Sequence, residues 1–544
     1  AFTGYALQTQ QEKDRKMTLE TLLLSIKLMD KMRQIFEAQG SKSGLATRFW
    51  WVFENAIKSC LQLYEATGEE KYRNYAFQFA EKSKAVLVQD AVAETIAQQK
   101  TNLPDSLREW EQQLKVDITF LENQLFQAEK RKKEKKAGEI RSQLLRKRED
   151  LRLFGIRMEE EYPQYHQLRY KQNFADLANI QKELSSNEAI IEYFVGDSSV
   201  YVFGITKNKL DIQQFPYSPE LSGLVKKLRQ GLNPKEQSSD GASYRLFAEN
   251  AHLIYQQVLE ATLEQLPPSI DKLTIIPDGE LSYVPFETLL RQPADLDIPD
   301  YRQPDYLIKH YDIGYAYSAA LLQRNLGEIN NPTEEGVLAF APSYPKAVTD
   351  SVQVQQLGKF RDQVTELIWN TKEVEQIGEY LPSSHFMREE ASEAKFKELA
   401  AQYRIIHLAM HALVDDENPM TSRLVFTHNA DSTEDSYLNV YELYNMDLNA
   451  DLAILSACNT GYGKYVRGEG LVSLGRAFAY AGCPSVVISH WAVDDEATSQ
   501  LMNGFYQGLA EGEDKSTALR EAKLAYLQTA GPRRANPIYW GSFV

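Results

Sequence analysis

Residues 451–463 read D-L-A-I-L-S-A-C-N-T-G-Y-G. Leu452 to Leu455 form a short apolar run of strand type, and Asn459, Thr460, Gly461 and Gly463 supply turn chemistry immediately after it. Cys458 therefore falls where a buried strand stops and a turn begins. A structural thiol would sit inside the run. A thiol at the carboxyl end of a strand sits where open α/β sheets place their ligands.

Similar runs surround this one. VLAFAPS (337–343), RIIHLAM (404–410), SRLVFT (422–427) and SVVISHW (485–491) alternate with helical segments. That alternation predicts an α/β sandwich with a largely parallel sheet. Within RIIHLAMHAL the β-branched residues before His407 predict a strand, which separates its two histidines. His407 lies inside the run and reads as a packed, hydrogen-bonded core residue. His411 falls just past its end, beside Ala412, at a position matching that of Cys458. A thiol with an ordinary pKa of about 8.5 needs such an imidazole to become thiolate and to protonate a leaving amine. The i, i+4 histidine spacing also occurs in metal-binding helices. Here the helical glutamate is missing and no third ligand stands at a sensible distance, so no metal and no cofactor are expected.

Upstream the pattern changes. Residues 1–100 are read as a helical, repeat-like region: from Trp50, two amphipathic helices meet at Thr67-Gly68, with a weaker unit at 17–38. Residues 101–185 read as a long helical hairpin with a stripe of Trp110, Leu114, Ile118, Leu121 and Leu125. The block KRKKEKK (130–136) is interrupted by Glu134 and followed by Gly138, which fits a solvated tip better than a nucleic-acid patch. Residues 186–330 open with a strand meander and continue through IPDGEL (276–281), where Pro277 and Gly279 mark Asp278 and Glu280 as turn residues. Residues 331–544 carry the alternating strands and helices.

Bulk properties narrow the function. A chain of 544 residues allows two or three domains, and 43% hydrophobic with 25% charged residues is a soluble, globular balance. The net charge of −16 opposes general nucleic-acid binding. Three cysteines fit a reducing, cytoplasmic setting, and neither a signal peptide nor a membrane-spanning run is expected. The start at Ala1 without methionine suggests that an upstream part is missing.

Several ordered motifs together are similar to one family. HLAMHA (407–412), LSACNTG (455–461), GEGLVSLGRAFAYAGCPSVVISHWAVDDEAT (468–498) and NPIYWGSFV (536–544) resemble the CHAT domain, a caspase-like peptidase module that bacteria often fuse to tetratricopeptide repeats. LTIIPDGELSYVPFETL (273–289) and EYFVGDSSVYVFGITK (192–207) are similar to its first half, so the resemblance spans about 185–544, and EKYRNYAFQFAEKSKA (70–85) fits the preceding repeat. Cys458 also follows His411 by 47 residues (458 − 411), close to the roughly 50 of caspase-type enzymes.

The resemblance implies a caspase-like three-layer α/β sandwich with a mostly parallel sheet, in which 186–330 is a catalytically empty half that extends the sheet. It implies a cysteine endopeptidase with Cys458 as nucleophile, His411 as base and acid, and the N–H groups of Cys458 and Ala412 as oxyanion donors. It further implies an S1 pocket drawn from Ser456, Ser489, Trp491, Asp494 and Asp495, with an aspartate receiving a P1 arginine or lysine. Asp494 and Asp495 also suit a helix N-terminus. An acidic P1 would instead use Arg423 or Arg467, although Ser456 stands where caspases carry the glutamine that helps bind aspartate. Expected partners are a protein substrate and a regulatory protein or ribonucleoprotein at the helical repeats, with no membrane and no direct nucleic-acid contact. Among bacterial relatives such cleavage is linked to defence. The competing expectation is a silent caspase-fold scaffold.

Overall fold

A computed structural model describes residues 12–35, 47–101, 103–170, 176–232, 241–323, 332–344, 366–415, 418–428, 434–461 and 463–544. The last residues of the weaker repeat unit, 36–38, lie outside these.

The amphipathic segments form helices α1 (Glu12–Ile35), α2 (Trp50–Thr67), α3 (Lys71–Lys82) and α4 (Val86–Lys100). Gly68 ends α2 in the left-handed region at φ 69°, a conformation that glycine adopts without a Cβ penalty. The long hairpin is α5 (Asp105–Lys130) against α6 (Glu134–Glu161), with the basic block at its turn. Leu114, Ile118 and Leu121 are buried between them. Trp110 stays 41% exposed and meets Phe154 edge-on at 5.3 Å, so it flanks the seam instead of filling it.

Two separate five-stranded sheets follow. The first has the order β3-β2-β1-β4-β5, made of β1 (Glu188–Val195), β2 (Ser199–Thr206), β3 (Lys209–Pro216), β4 (Lys272–Ile276) and β5 (Asp312–Tyr315). β1, β2 and β3 form an antiparallel meander, whereas β4 and β5 run parallel to β1. Alternation along the strands sorts its two faces. Ile190, Phe194, Tyr201, Phe203 and Ile205 pack under α1–α3, while Ile191, Tyr193, Val200 and Val202 face the rest of the chain. Trp50 stacks on Phe194 at 4.7 Å and 1°, bonding the helical region to this sheet.

The second sheet is parallel throughout, in the order β15-β12-β8-β6-β7. Its strands are β6 (Glu334–Pro342), β7 (Ser383–Arg388), β8 (Tyr403–Ala409), β12 (Leu452–Ser456) and β15 (Val486–Val487). Leu338, Phe340, Ile406, Leu408, Ala453 and Leu455 face one helical layer; Val337, Ala339, Ala409, Leu452 and Ile454 face the other. Helices α7 (Asn370–Ile377), α8 (Leu474–Tyr480), α9 (Asp495–Glu511) and α10 (Lys515–Thr529) complete the layers. This is the expected three-layer α/β arrangement with a parallel sheet, preceded by an all-α region. One expectation fails: among the described residues the first half does not extend the second sheet. Its parallel edge ends at β5, and the halves meet through a shared apolar core that contains Phe286, Leu307, Phe505, Tyr526 and Trp540.

Two small elements sit at the carboxyl end of the parallel sheet. β9 (His411–Leu413), β10 (Arg423–Val425) and β11 (Tyr437–Asn439) form an antiparallel sheet, and β13 (Lys464–Val466) with β14 (Gly470–Val472) forms a hairpin. Among the described residues no helix is long and apolar enough to cross a membrane.

Candidate active site

The register of β8 and β12 places His411 and Cys458. Ala409 pairs with Ser456 at the carboxyl ends of these adjacent parallel strands, and Met410 N–H reaches Ser456 O at 3.3 Å. His411 and Cys458 each lie two residues beyond that pair. Neighbouring strands run about 4.8 Å apart, so the two side chains leave the sheet from neighbouring positions on one rim.

His411 opens β9 opposite Val425 and is buried. Its N–H donates to Tyr344 Oη at 3.1 Å, Tyr344 Oη donates to Val425 O at 2.7 Å, and the two rings lie 4.7 Å apart. Tyr344 thus fixes the backbone and orients the ring, a role that reading the sequence missed. Its only signal was position, two residues past the end of β6. Ala412 sits in the same small sheet opposite Leu424.

Cys458 is partly exposed, unlike Cys60 and Cys483, which are buried with thiols pushed up by burial. Burial also raises the Cys458 thiol, Asp495 adds to the rise, and a hydrogen bond from Val493 N–H opposes it. The resting sulfur is therefore a thiol, and a base must take its proton. The next residue, Asn459, is left-handed at φ 60°, a region that asparagine tolerates better than most residues. This bend turns the chain away directly after the sulfur.

Ser489 holds the bend. Its hydroxyl donates to Ala457 O, its N–H donates to Thr460 Oγ1 at 2.9 Å, and its carbonyl accepts Gly461 N–H at 2.8 Å. Ser489 has no exposed surface, so it clamps the turn and does not line a pocket. Trp491 accepts Asn459 N–H on its carbonyl at 3.4 Å and donates its indole N–H to Ile538 O at 2.9 Å. Gly463 is required by packing: a Cβ there would lie 2.1 Å from Val472 O.

The acidic pair caps helices. Asp494 Oδ1 accepts Ala497 N–H at 3.0 Å at the start of α9, with Arg534 at 3.5 Å. Asp495 Oδ2 accepts the N–H groups of Ile368 and Trp369 at 2.9 and 2.8 Å, ahead of α7. Burial raises the Asp495 carboxyl. Ser456 is buried at the end of β12. Arg467 pairs with Asp197 at 2.7 Å, and Arg423 lies 4.3 Å over the Tyr437 ring.

His407 is fully buried within β8, with Nε2 on Glu373 Oε1 at 2.9 Å and Nδ1 on Tyr506 Oη at 3.0 Å. Both ring nitrogens are taken, which removes the metal-hydrolase reading of His407 with His411. Elsewhere among the described residues Glu393, Glu434 and Glu442 converge, but Lys397 Nζ lies 2.8 Å from each and its ammonium fills the cluster.

Residues 248–544, more than half of the chain, match the CHAT domain. This chain belongs to the CHAT-domain family. The CHAT match starts inside the helix Ala242–Tyr255, so β1, β2 and β3 precede it while sharing a sheet with β4 and β5 of the CHAT region. Mouse tetratricopeptide repeat protein 28 is 31% identical over 106 residues, covering 20% of this chain and 4% of that protein. Its human counterpart is 22% identical over 318 residues, covering 50% and 12%. The chain thus spans only a small part of these relatives. Two structures of the Saccharomyces cerevisiae separase–securin complex overlay with TM-scores of 0.36 and 0.39 at 10% and 11% identity, covering 97% and 100% of this chain and 40% and 46% of theirs. The Arg-specific cysteine proteinase gingipain R overlays at 0.31 and 8% identity, covering 60% of this chain and 73% of its own. These overlaps are too loose to align individual residues.

Proposed function

We propose that this CHAT protein is a cysteine endopeptidase with a His411–Cys458 dyad. The observation that carries this reading is the Ala409–Ser456 register pair, which sets both residues at matching positions past adjacent strand ends. His411 takes the thiol proton, the sulfur attacks the scissile carbonyl carbon, and the C–N bond breaks as His411 protonates the amine. The acyl group stays on sulfur as a thioester until water, deprotonated by His411, displaces it. The N–H groups of Cys458 and Ala412 serve as oxyanion donors, and loss of one such donor costs about 3–4 kcal/mol in the transition state.

A basic P1 residue fits the acidic wall beside the sulfur. Asp495 acts electrostatically on Cys458, whereas Asp494 is held by Ala497 N–H and Arg534. Arg467, the counter-candidate for an acidic P1, is engaged with Asp197. The substrate is a protein, and a protein partner at the helical region regulates the reaction.

Fluorogenic peptides differing only at P1 test this. Arginine or lysine is expected to exceed leucine by about a hundredfold in kcat/KM, with all cleavage lost in Cys458→Ala. Cleavage after aspartate keeps the dyad and discards the acidic wall. Turnover that survives in Cys458→Ala overturns the reading.

A further inference from the structure

The segment after the catalytic turn is gripped from outside the catalytic half. Tyr283 Oη donates to Gly463 O at 3.0 Å and accepts Tyr465 N–H at 3.2 Å. Tyr465 Oη donates to Asp278 Oδ1 at 2.6 Å, and Asp278 Oδ2 accepts Val195 N–H at 2.7 Å. Asp278, expected as a plain turn residue, is buried and joins two elements.

Val195 leads into the β1–β2 turn, which helix α2 holds. The Trp50 indole donates to Val195 O at 3.1 Å. The Glu54 carboxylate accepts the N–H groups of Asp197 and Ser198 at 2.8 and 2.9 Å, and the Ser198 hydroxyl at 2.7 Å. The fit leaves no slack: a Cβ on Gly196 would lie 2.4 Å from Glu54 Cδ. One route therefore runs from α2 through the β1–β2 turn, Asp278 and Tyr465 to Gly463.

A second route starts at α4. Leu87 N–H donates to Glu469 Oε2 at 3.2 Å, and Glu469 pairs with Arg476; both side chains are 1% exposed. Gly475, one residue before Arg476, donates its N–H to Thr460 O at 3.0 Å, two residues past Cys458. Glu54, Asp278, Glu469 and Arg476 are buried and Tyr283 and Tyr465 half-buried, so at the buried links a shift at one end is passed on or breaks a bond.

We infer that Glu54, Asp278, Tyr283, Tyr465, Glu469 and Arg476 are positioning residues that transmit the placement of helices α2 and α4 to Cys458. A displacement of either helix then sets the reactivity of the thiol. Only the effect on turnover rests on the peptidase reading; the effect on Cys458 does not.

The test uses the full chain with Tyr283→Phe, Glu54→Gln and both together. Alkylation of Cys458 by iodoacetamide is followed by mass across pH, with buried Cys60 and Cys483 as internal controls, beside kcat, KM and thermal midpoint. Each variant is expected to shift the alkylation rate roughly three- to tenfold and to lower kcat with KM nearly unchanged. The double variant should match the larger single effect, because the two sites lie in series. Rates within about twofold of wild type in folded variants, or effects that multiply, overturn the relay. Where Glu54→Gln fails to fold, Tyr465→Phe tests the same route. Shifted alkylation in a chain that cleaves nothing sinks the peptidase reading and leaves the relay standing.

Discussion

Replacing His411 with glutamine is expected to lower peptide turnover by about three orders of magnitude while leaving thermal unfolding nearly unchanged. Replacing His407 with alanine is expected to do the reverse. The two histidines are four residues apart but differ in what they hold. The backbone N–H of His411 keeps its bond to Tyr344 after substitution, so only the ring and its chemistry are lost. His407 bridges Glu373 and Tyr506, and all three side chains are buried away from water. Removing the imidazole leaves the Glu373 carboxyl facing a cavity without its hydrogen bond, at a cost of about 3–5 kcal/mol. Steady-state kinetics and thermal unfolding of both variants separate these roles. A well-folded but inactive His407→Ala beside an active His411→Gln would reverse the assignment.

The chain is also expected to lose stability steeply in acid, and His490 to account for an identifiable share. His490 is 5% exposed, and among the described residues neither ring nitrogen has a hydrogen-bond partner. Burial, together with Arg229 and Lys523, lowers its pKa to about 3. An unfolded histidine titrates near 6.5. Below that pH the unfolded chain binds a proton that the folded chain refuses, so stability is complete above it and falls with decreasing pH. The loss amounts to about 1.4 kcal/mol per pH unit and levels off as pH falls through the folded value. His490→Leu removes this contribution, and urea unfolding of both proteins at several pH values reads it directly. Equal pH slopes between pH 6 and 4 would show that His490 is not held neutral.

Much of the parallel-sheet half was legible because its signals are local. Strand runs ending just before Cys458 and just before His411 announce themselves by apolar and β-branched residues and, after Cys458, by the turn chemistry that follows. The separation of His407 from His411 likewise follows from a strand period. What was not legible depends on pairing between distant segments. Ser489 looked like a pocket residue because its strand end is near the site, but its partners are Ala457 and Thr460, some thirty positions away. Asp495 caps a helix whose start is separated from it by more than a hundred residues. The independence of the two sheets could not be read from alternation, because β5 and β7 carry ordinary edge-strand sequences and only three-dimensional pairing distinguishes one sheet from two. The grip of Glu54 on the β1–β2 turn is equally non-local.

The most direct test of the dyad is intact-mass analysis after exposure to a peptidyl acyloxymethyl ketone carrying arginine at P1. The account predicts one adduct, mapped to Cys458 and strongly slowed in His411→Gln, with Cys60 and Cys483 unmodified. Absence of that adduct, while iodoacetamide still reaches Cys458, would contradict it.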